Sequence, residues 1–227
     1  MKKIYTGKTK DVYEINDKEV LLKFKDDVTG EDGVFDPGAN HVGLTIEGVG
    51  HQAVSMTKYF YELLNEKGLS THFISADLDK NEAVVKKAEV FGKGVEVIVR
   101  YYAVGSFIRR YGSYIEEGTK INPYVEITLK DDDRNDPLIT EDALDLLNIM
   151  NHEEYETLKQ LALDIGQIVR EELAKKDLEL YDIKFEFGRI EDGKIALIDE
   201  ISGGNMRAYK DGQYIEPLEL EKIFLGK

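Results

Sequence analysis

The chain has 227 residues, 42% of them hydrophobic and 33% charged, with a formal net charge of −15 and no cysteine. Such a length allows a full core in one large domain or two packed lobes, and the missing cysteines exclude a disulfide framework, a thiolate metal site and a thiol nucleophile. The acidic balance excludes non-specific nucleic-acid binding, which needs surplus Lys and Arg; a local basic group can still hold a small anion.

The start, Met1-Lys2-Lys3-Ile4-Tyr5, runs into polar residues unlike a signal peptide. No apolar run reaches membrane-spanning length. The expectation is a cytoplasmic protein with no membrane or nucleic-acid partner, small molecules as substrates and a homo-oligomer as one option. Residues 5–12 and 20–24 flank a polar turn at Asn16-Asp17-Lys18, which predicts a hairpin. Residues 30–50, rich in Gly and turn formers, predict a long loop. Residues 52–67 predict a helix, with Val54, Met56, Phe60, Leu63 and Leu64 near helical spacing and Gly68 at its end.

A strand pair is expected at 82–91 and 95–102, joined by Gly92-Lys93-Gly94. Residues 129–138 read as an acidic loop, with Asp131-Asp132-Asp133 as a solvated face. Asn151 and Glu154 form a capping-box pattern ahead of a long amphipathic helix. Its stripe of Leu158, Leu161, Ala162, Ile165, Ile168, Val169 and Leu173 is assigned to the core. The expected division is a β-rich lobe over 1–94 and a mixed α/β lobe over 95–227, with a cleft between them.

The most informative stretch is 181–188. Apolar and polar residues alternate, so Ile183, Phe185 and Phe187 face one way and Asp182, Lys184 and Glu186 the other. Asp192-Gly193 supplies a two-residue hairpin turn, and 194–201 returns as a second strand. Pairing outward from that turn sets Glu191 against Lys194, Phe187 against Ile198 and Glu186 against Asp199. Opposed residues share a face. Two carboxylates so placed repel each other unless a cation lies between them. Either a hard divalent cation such as Mg²⁺ fills that role, or Lys184 or a nearby Arg neutralises the pair as an ion network.

Several blocks together resemble the SAICAR synthetase family, in that family's order. They are Tyr5-Thr6-Gly7-Lys8-Thr9-Lys10, residues 26–33, the run Val97-Ile98-Val99-Arg100-Tyr101-Tyr102-Ala103-Val104-Gly105-Ser106, residues 130–137, residues 182–188, and Asp199-Glu200-Ile201-Ser202. The resemblance implies an α/β (α+β), two-lobed, ATP-grasp-like and kinase-like fold with a central nucleotide cleft. It implies ATP-driven condensation of carboxyaminoimidazole ribonucleotide with L-aspartate in purine biosynthesis, through an acyl phosphate, with ATP and Mg²⁺ as cofactors. By the same resemblance, Lys8, Lys10 and Lys130 are catalytic lysines that contact nucleotide, and Glu89, Val90 and Phe91 line the adenine pocket. Glu186 and Asp199 hold the metal. Arg100, Ser106, Lys184 and Arg207 hold the ribonucleotide 5′-phosphate, and Asp32, Asp136 and Asp182 belong to the substrate site.

The match has local departures. Where the family carries Asn-Asn-Lys at the first long helix, this chain has His51-Gln52-Ala53, and the loop over 34–45 reads as lengthened. The usual Pro-Asp is Gly203-Gly204, and the usual Trp-Asp is Tyr209-Lys210. The chain ends at Lys227, which reads as lacking most of a closing helical segment. These departures keep three alternatives open: a paralogue ligating a different phosphoribosylated carboxylate or amine, a kinase-like phosphotransferase, and a silent nucleotide-binding protein. His51 could compensate in part for the missing lysine, although a lone His is more often a structural or surface residue.

Overall fold

The computed structural model describes residues 1–31, 34–35 and 41–226; Asp32, assigned to substrate above, lies outside them. Strand β1 (Lys2–Thr6) pairs with β2 (Lys10–Glu14), and β2 with β3 (Glu19–Phe24). The stretch expected as one strand over 5–12 is therefore two arms of a tight hairpin, closed by the Gly7 N–H donating to the Lys10 carbonyl at 2.8 Å. The second hairpin turns where the sequence predicts. Asn16 Oδ1 accepts from the Lys18 and Glu19 N–H groups, an Asx turn.

Strands β4 (Asp27–Glu31), β5 (Val34–Phe35) and β6 (Val42–Thr45) build a small sheet inside the region expected as loop. Strands this short carry too little alternation to be read from sequence. Helix α1 (Val49–Glu66) follows, its start held by the Gly50 N–H donating to Asp26 Oδ1 at 2.9 Å. Val54, Met56, Phe60, Tyr61 and Leu64 are its fully buried apolar side chains.

Strands β7 (Phe73–Asp77) and β8 (Glu82–Lys86) complete a five-stranded sheet in the order β1-β2-β3-β8-β7. The expected pairing of 82–91 with 95–102 does not occur. After Lys87-Ala88 the chain changes sheets: β9 (Glu89–Val90) and β10 (Val95–Tyr102) lie end to end along β12 (Glu179–Arg189). The glycine turn is a bulge between two collinear strands, not a hairpin loop.

Helix α2 (Ser106–Tyr111), strand β11 (Lys120–Leu129) and helix α3 (Glu141–Leu146) lead to α4 (His152–Ala174), which carries the predicted capping box. From the predicted stripe of α4, Leu158, Ala162, Ile165, Val169 and Leu173 are fully buried. Strands β13 (Ile195–Ile198), β14 (Met206–Lys210) and β15 (Gln213–Tyr214) finish a seven-stranded sheet, and α5 (Pro217–Leu225) packs on α1 with Phe224 stacked on Phe60 at 5.1 Å. The two large sheets are joined by backbone. The His72 N–H donates to the Leu197 carbonyl at 3.0 Å, and the Leu197 N–H to the Ser70 carbonyl at 2.9 Å. That seam fixes β13 against the N-terminal strands, and with it the floor of the cleft.

Candidate active site

Alternation on β12 is as the sequence predicts, with Ile183, Phe185 and Phe187 in the core and Asp182, Lys184 and Glu186 on the opposite face. The hairpin register differs by one residue. Glu186 opposes Ile198 and Phe187 opposes Leu197, because the turn spans Glu191–Gly193 and not two residues. Gly193 takes a φ of +73° there, the left-handed conformation that a three-residue hairpin loop places on glycine. A one-residue slip would carry Asp199 to the other face. It does not, because β13 ends at Ile198 and Asp199 itself adopts a φ of +69°. That kink returns its carboxylate to the cleft beside Glu186.

The cleft has a volume of about 650 Å³, within the range of small-molecule sites. Lys8, Lys10, Val90, Lys130, Lys184, Glu186 and Asp199 all line it. Each of the two acids is matched by a lysine: Lys130 Nζ lies 2.5 Å from Glu186 Oε1, and Lys10 Nζ 3.0 Å from Asp199 Oδ1 and 3.4 Å from Glu200 Oε2. Burial and the charge of Asp199 push the Glu186 carboxyl up. Burial pushes Asp199 the same way, but Lys10 and Lys130 outweigh it and hold Asp199 low. Burial also opposes the charge on Lys10 and on Lys130, yet the surrounding carboxylates win and both ammonium groups are held protonated. Lys184, one of the alternatives to a metal for neutralising the pair, has its ion pair with Glu96 at 2.8 Å.

Lys8 reaches across the cleft to Asp132 Oδ1 at 2.6 Å, so Asp132, exposed as expected, also lines the site. Of the residues expected around adenine, only Val90 lines the cleft. Phe91 is fully buried in the core with the Arg189 guanidinium 4.1 Å from its ring centre, and Glu89 pairs with Arg189 in the sheet. The apolar wall comes instead from Val12, Val20, Leu22, Val85 and Ile198. Strand alternation marks the β2–β3 residues among these as inward-facing, but cannot separate a cleft wall from the core.

A second pocket of about 90 Å³ adjoins the cleft, and Glu96, Lys184 and Asn205 line both. Arg100, Ser106, Asp136, Asp182, Lys184 and Arg207 gather here, as the resemblance implied. Arg100 lines this pocket from a deeply buried position. Its guanidinium donates to Glu126, Asp182, Ser106 Oγ and the Val104 carbonyl. Asp182 also accepts from Arg207 at 2.9 Å, so it orients arginines. Sequence reasoning missed Glu96, Glu126, Arg109 and Arg110; carboxylates inside strands β10 and β11 were the available signal.

The departures also have structural places. His51 Nδ1 sits 3.2 Å from the Leu78 carbonyl and 3.3 Å from Asn81 Oδ1, tied to a loop, and it does not replace the missing lysine. Gln52 is fully buried at the cleft wall, with Oε1 lacking a hydrogen-bond partner among the described residues. Gly203 packs against α5 so closely that a Cβ there would lie 2.7 Å from Pro217 Cα. That contact accounts for glycine at 203.

A model of the SAICAR synthetase family matches residues 3–224. The phosphoribosylaminoimidazole-succinocarboxamide synthase of Clostridium tetani is 61% identical over 226 residues, covering 99% of this chain and 100% of that protein. Among solved structures, a SAICAR synthetase in complex with ADP superposes with a TM-score of 0.87 at 29% identity, covering 98% of this chain and 97% of that one. The synthase of Ehrlichia chaffeensis gives 0.83 at 29% identity, covering 99% and 92%. The full-length match to a protein of that name, together with the shared fold, leaves the paralogue and the phosphotransferase unfavoured: the chain belongs to the SAICAR synthetase family.

Proposed function

We propose that this chain condenses carboxyaminoimidazole ribonucleotide with L-aspartate, driven by ATP, to give SAICAR, ADP and phosphate. The observation that carries the reading is one continuous site. Glu186 and Asp199, with Lys8, Lys10 and Lys130, line a nucleotide-sized cleft, which opens through Lys184 into an arginine-lined pocket. The ADP-bound neighbour supports ATP as the nucleotide. In this reading the cleft runs between lobes over 1–94 and 95–227.

The donor set fits a hard divalent cation. Among the described residues no group of three or more His, Cys, Asp or Glu side chains is arranged to hold a metal. Glu186 and Asp199 would therefore share a cation with phosphate and water, which is how Mg²⁺ is usually held. When bound, Mg²⁺ neutralises phosphate charge. The chain's own residues do the rest. Lys10 and Lys130 leave their carboxylate partners for phosphate oxygens, and Lys8 closes over from the β1–β2 turn. The imidazole carboxylate oxygen attacks the γ-phosphorus and ADP leaves. The aspartate amine then attacks the acyl carbon, and phosphate departs with the former carboxylate oxygen. Such phosphoryl transfer asks mainly for alignment and charge neutralisation.

A coupled assay of ADP release with the ribonucleotide, with and without L-aspartate, tests the proposal. The expected result is turnover only with aspartate. Equal ADP release without it would support a phosphotransferase, and no release would overturn the assignment.

A further inference from the structure

We infer that Glu200 receives the ammonium group of the amine substrate in the main cleft, with Gln52 beside it as a second acceptor. The inference rests on the ligase reading above and adds the place at which the amine is held.

Glu186, Asp199 and Glu200 all line the cleft. Lys130 pairs with the first, and Lys10 is shared between the other two, 3.0 Å from Asp199 Oδ1 and 3.4 Å from Glu200 Oε2. Glu200 depends on that lysine most. Its side chain is only 7% exposed, its Oε2 is without a hydrogen bond, and Lys10 is its one ion-pair partner among the described residues. In the reading above, phosphate draws Lys10 away. Asp199 then gains a metal, whereas Glu200 is left as a buried charge without a partner, which is strongly destabilising. A substrate that enters as an ammonium ion supplies the missing charge in the space that Lys10 leaves.

The surroundings fit that group. Gln52, fully buried on the cleft wall, donates from Nε2 to Met56 Sδ at 2.8 Å, and its Oε1 is an acceptor without a donor among the described residues. Gly203 and Gly204 adjoin the two side chains. A Cβ on Gly203 would lie 3.3 Å from Gln52 Nε2, and one on Gly204 3.3 Å from Glu200 Oε1. Two acceptors that lack donors once Lys10 has moved call for N–H groups, and an ammonium group brings three. The place also matches the chemistry. Asn205 holds this loop by donating to the Glu200 carbonyl at 2.6 Å and the Lys184 carbonyl at 3.1 Å, and Asn205 and Lys184 line both pockets. An amine on Glu200 therefore stands near the junction where the ribonucleotide carboxylate meets the γ-phosphate.

Steady-state kinetics of the full chain with L-aspartate test this, alongside inhibition by succinate, which keeps both carboxylates and has no amine. Glu200→Gln should raise the KM for L-aspartate about ten-fold or more. The inhibition constant of succinate and the KM for the ribonucleotide should not rise with it. Gln52→Met should raise the KM for L-aspartate about five-fold and likewise spare succinate. Melting temperatures report whether each variant is folded, and if Glu200→Gln is not, Gln52→Met decides alone. An unchanged KM for L-aspartate, or succinate weakened as much as L-aspartate, would overturn the inference while aspartate-dependent turnover of the wild type upholds the ligase reading. A wild type without such turnover would defeat that reading and the inference together.

Discussion

Tyr101 and Gly166 show how tightly single residues are fitted around the sheet that carries the site. The Tyr101 ring is 2% exposed and its hydroxyl has no partner among the described residues. A Cβ on Gly166 of α4 would lie 2.8 Å from that hydroxyl and 3.3 Å from Val99. Alanine is better in a helix by about 1 kcal/mol, but overpacking typically costs about 1–3 kcal/mol. Gly166→Ala should therefore destabilise in denaturant titrations, and adding Tyr101→Phe should relieve part of the loss. A Gly166→Ala protein as stable as wild type would contradict the contact.

Burial pushes the Tyr101 hydroxyl up to about 12. Between the ordinary tyrosine pKa and that value, the unfolded chain loses the proton and the folded chain keeps it. The corresponding stability is fully present below about pH 10 and is lost as pH rises through about 12. Tyr101→Phe should flatten part of that alkaline decline, read as melting temperature against pH. An unchanged slope would show that the hydroxyl is not held as described.

Secondary-structure elements were legible where one strong local rule decided them. The capping box at Asn151 and Glu154, the α4 stripe and the alternation of β12 are such cases, and all three appear where sequence puts them. What sequence could not supply was partner choice. Residues 82–91 look like half of a hairpin, yet their two pieces serve different sheets. The turn at Asp192-Gly193 looked like a two-residue loop but spans three, and the slip was cancelled by a left-handed Asp199 that no pattern announces. Aspartate and asparagine tolerate that conformation better than most residues. Asp199→Asn should hence keep the backbone and the melting temperature while ADP formation falls about 100-fold. Manganese binding in the presence of ADP should weaken with it, as it should in Glu186→Gln. Near-normal rates in both variants would remove the two acids from the site.

At the scale of the whole molecule, the cleft floor exists because the Ser70–His72 segment is stitched to β13 while β12 lies between two pairs of strands. Residues far apart in sequence, Lys10, Lys130, Glu186 and Asp199, meet there in two lysine–carboxylate pairs. Residue types and block order pointed to these four. The pairing itself required the fold, as did the exclusion of Phe91 and the burial of Arg100. Among the described residues no helix is long and apolar enough to cross a membrane.

The central claim is that these four residues gather around an acyl phosphate made from the ribonucleotide carboxylate. Its most direct test is to follow ¹⁸O from carboxylate-labelled ribonucleotide during turnover with ATP and L-aspartate. The account predicts one ¹⁸O atom in each phosphate released, carried there when the amine displaces the acyl phosphate. Phosphate free of label, with SAICAR still formed, would contradict it.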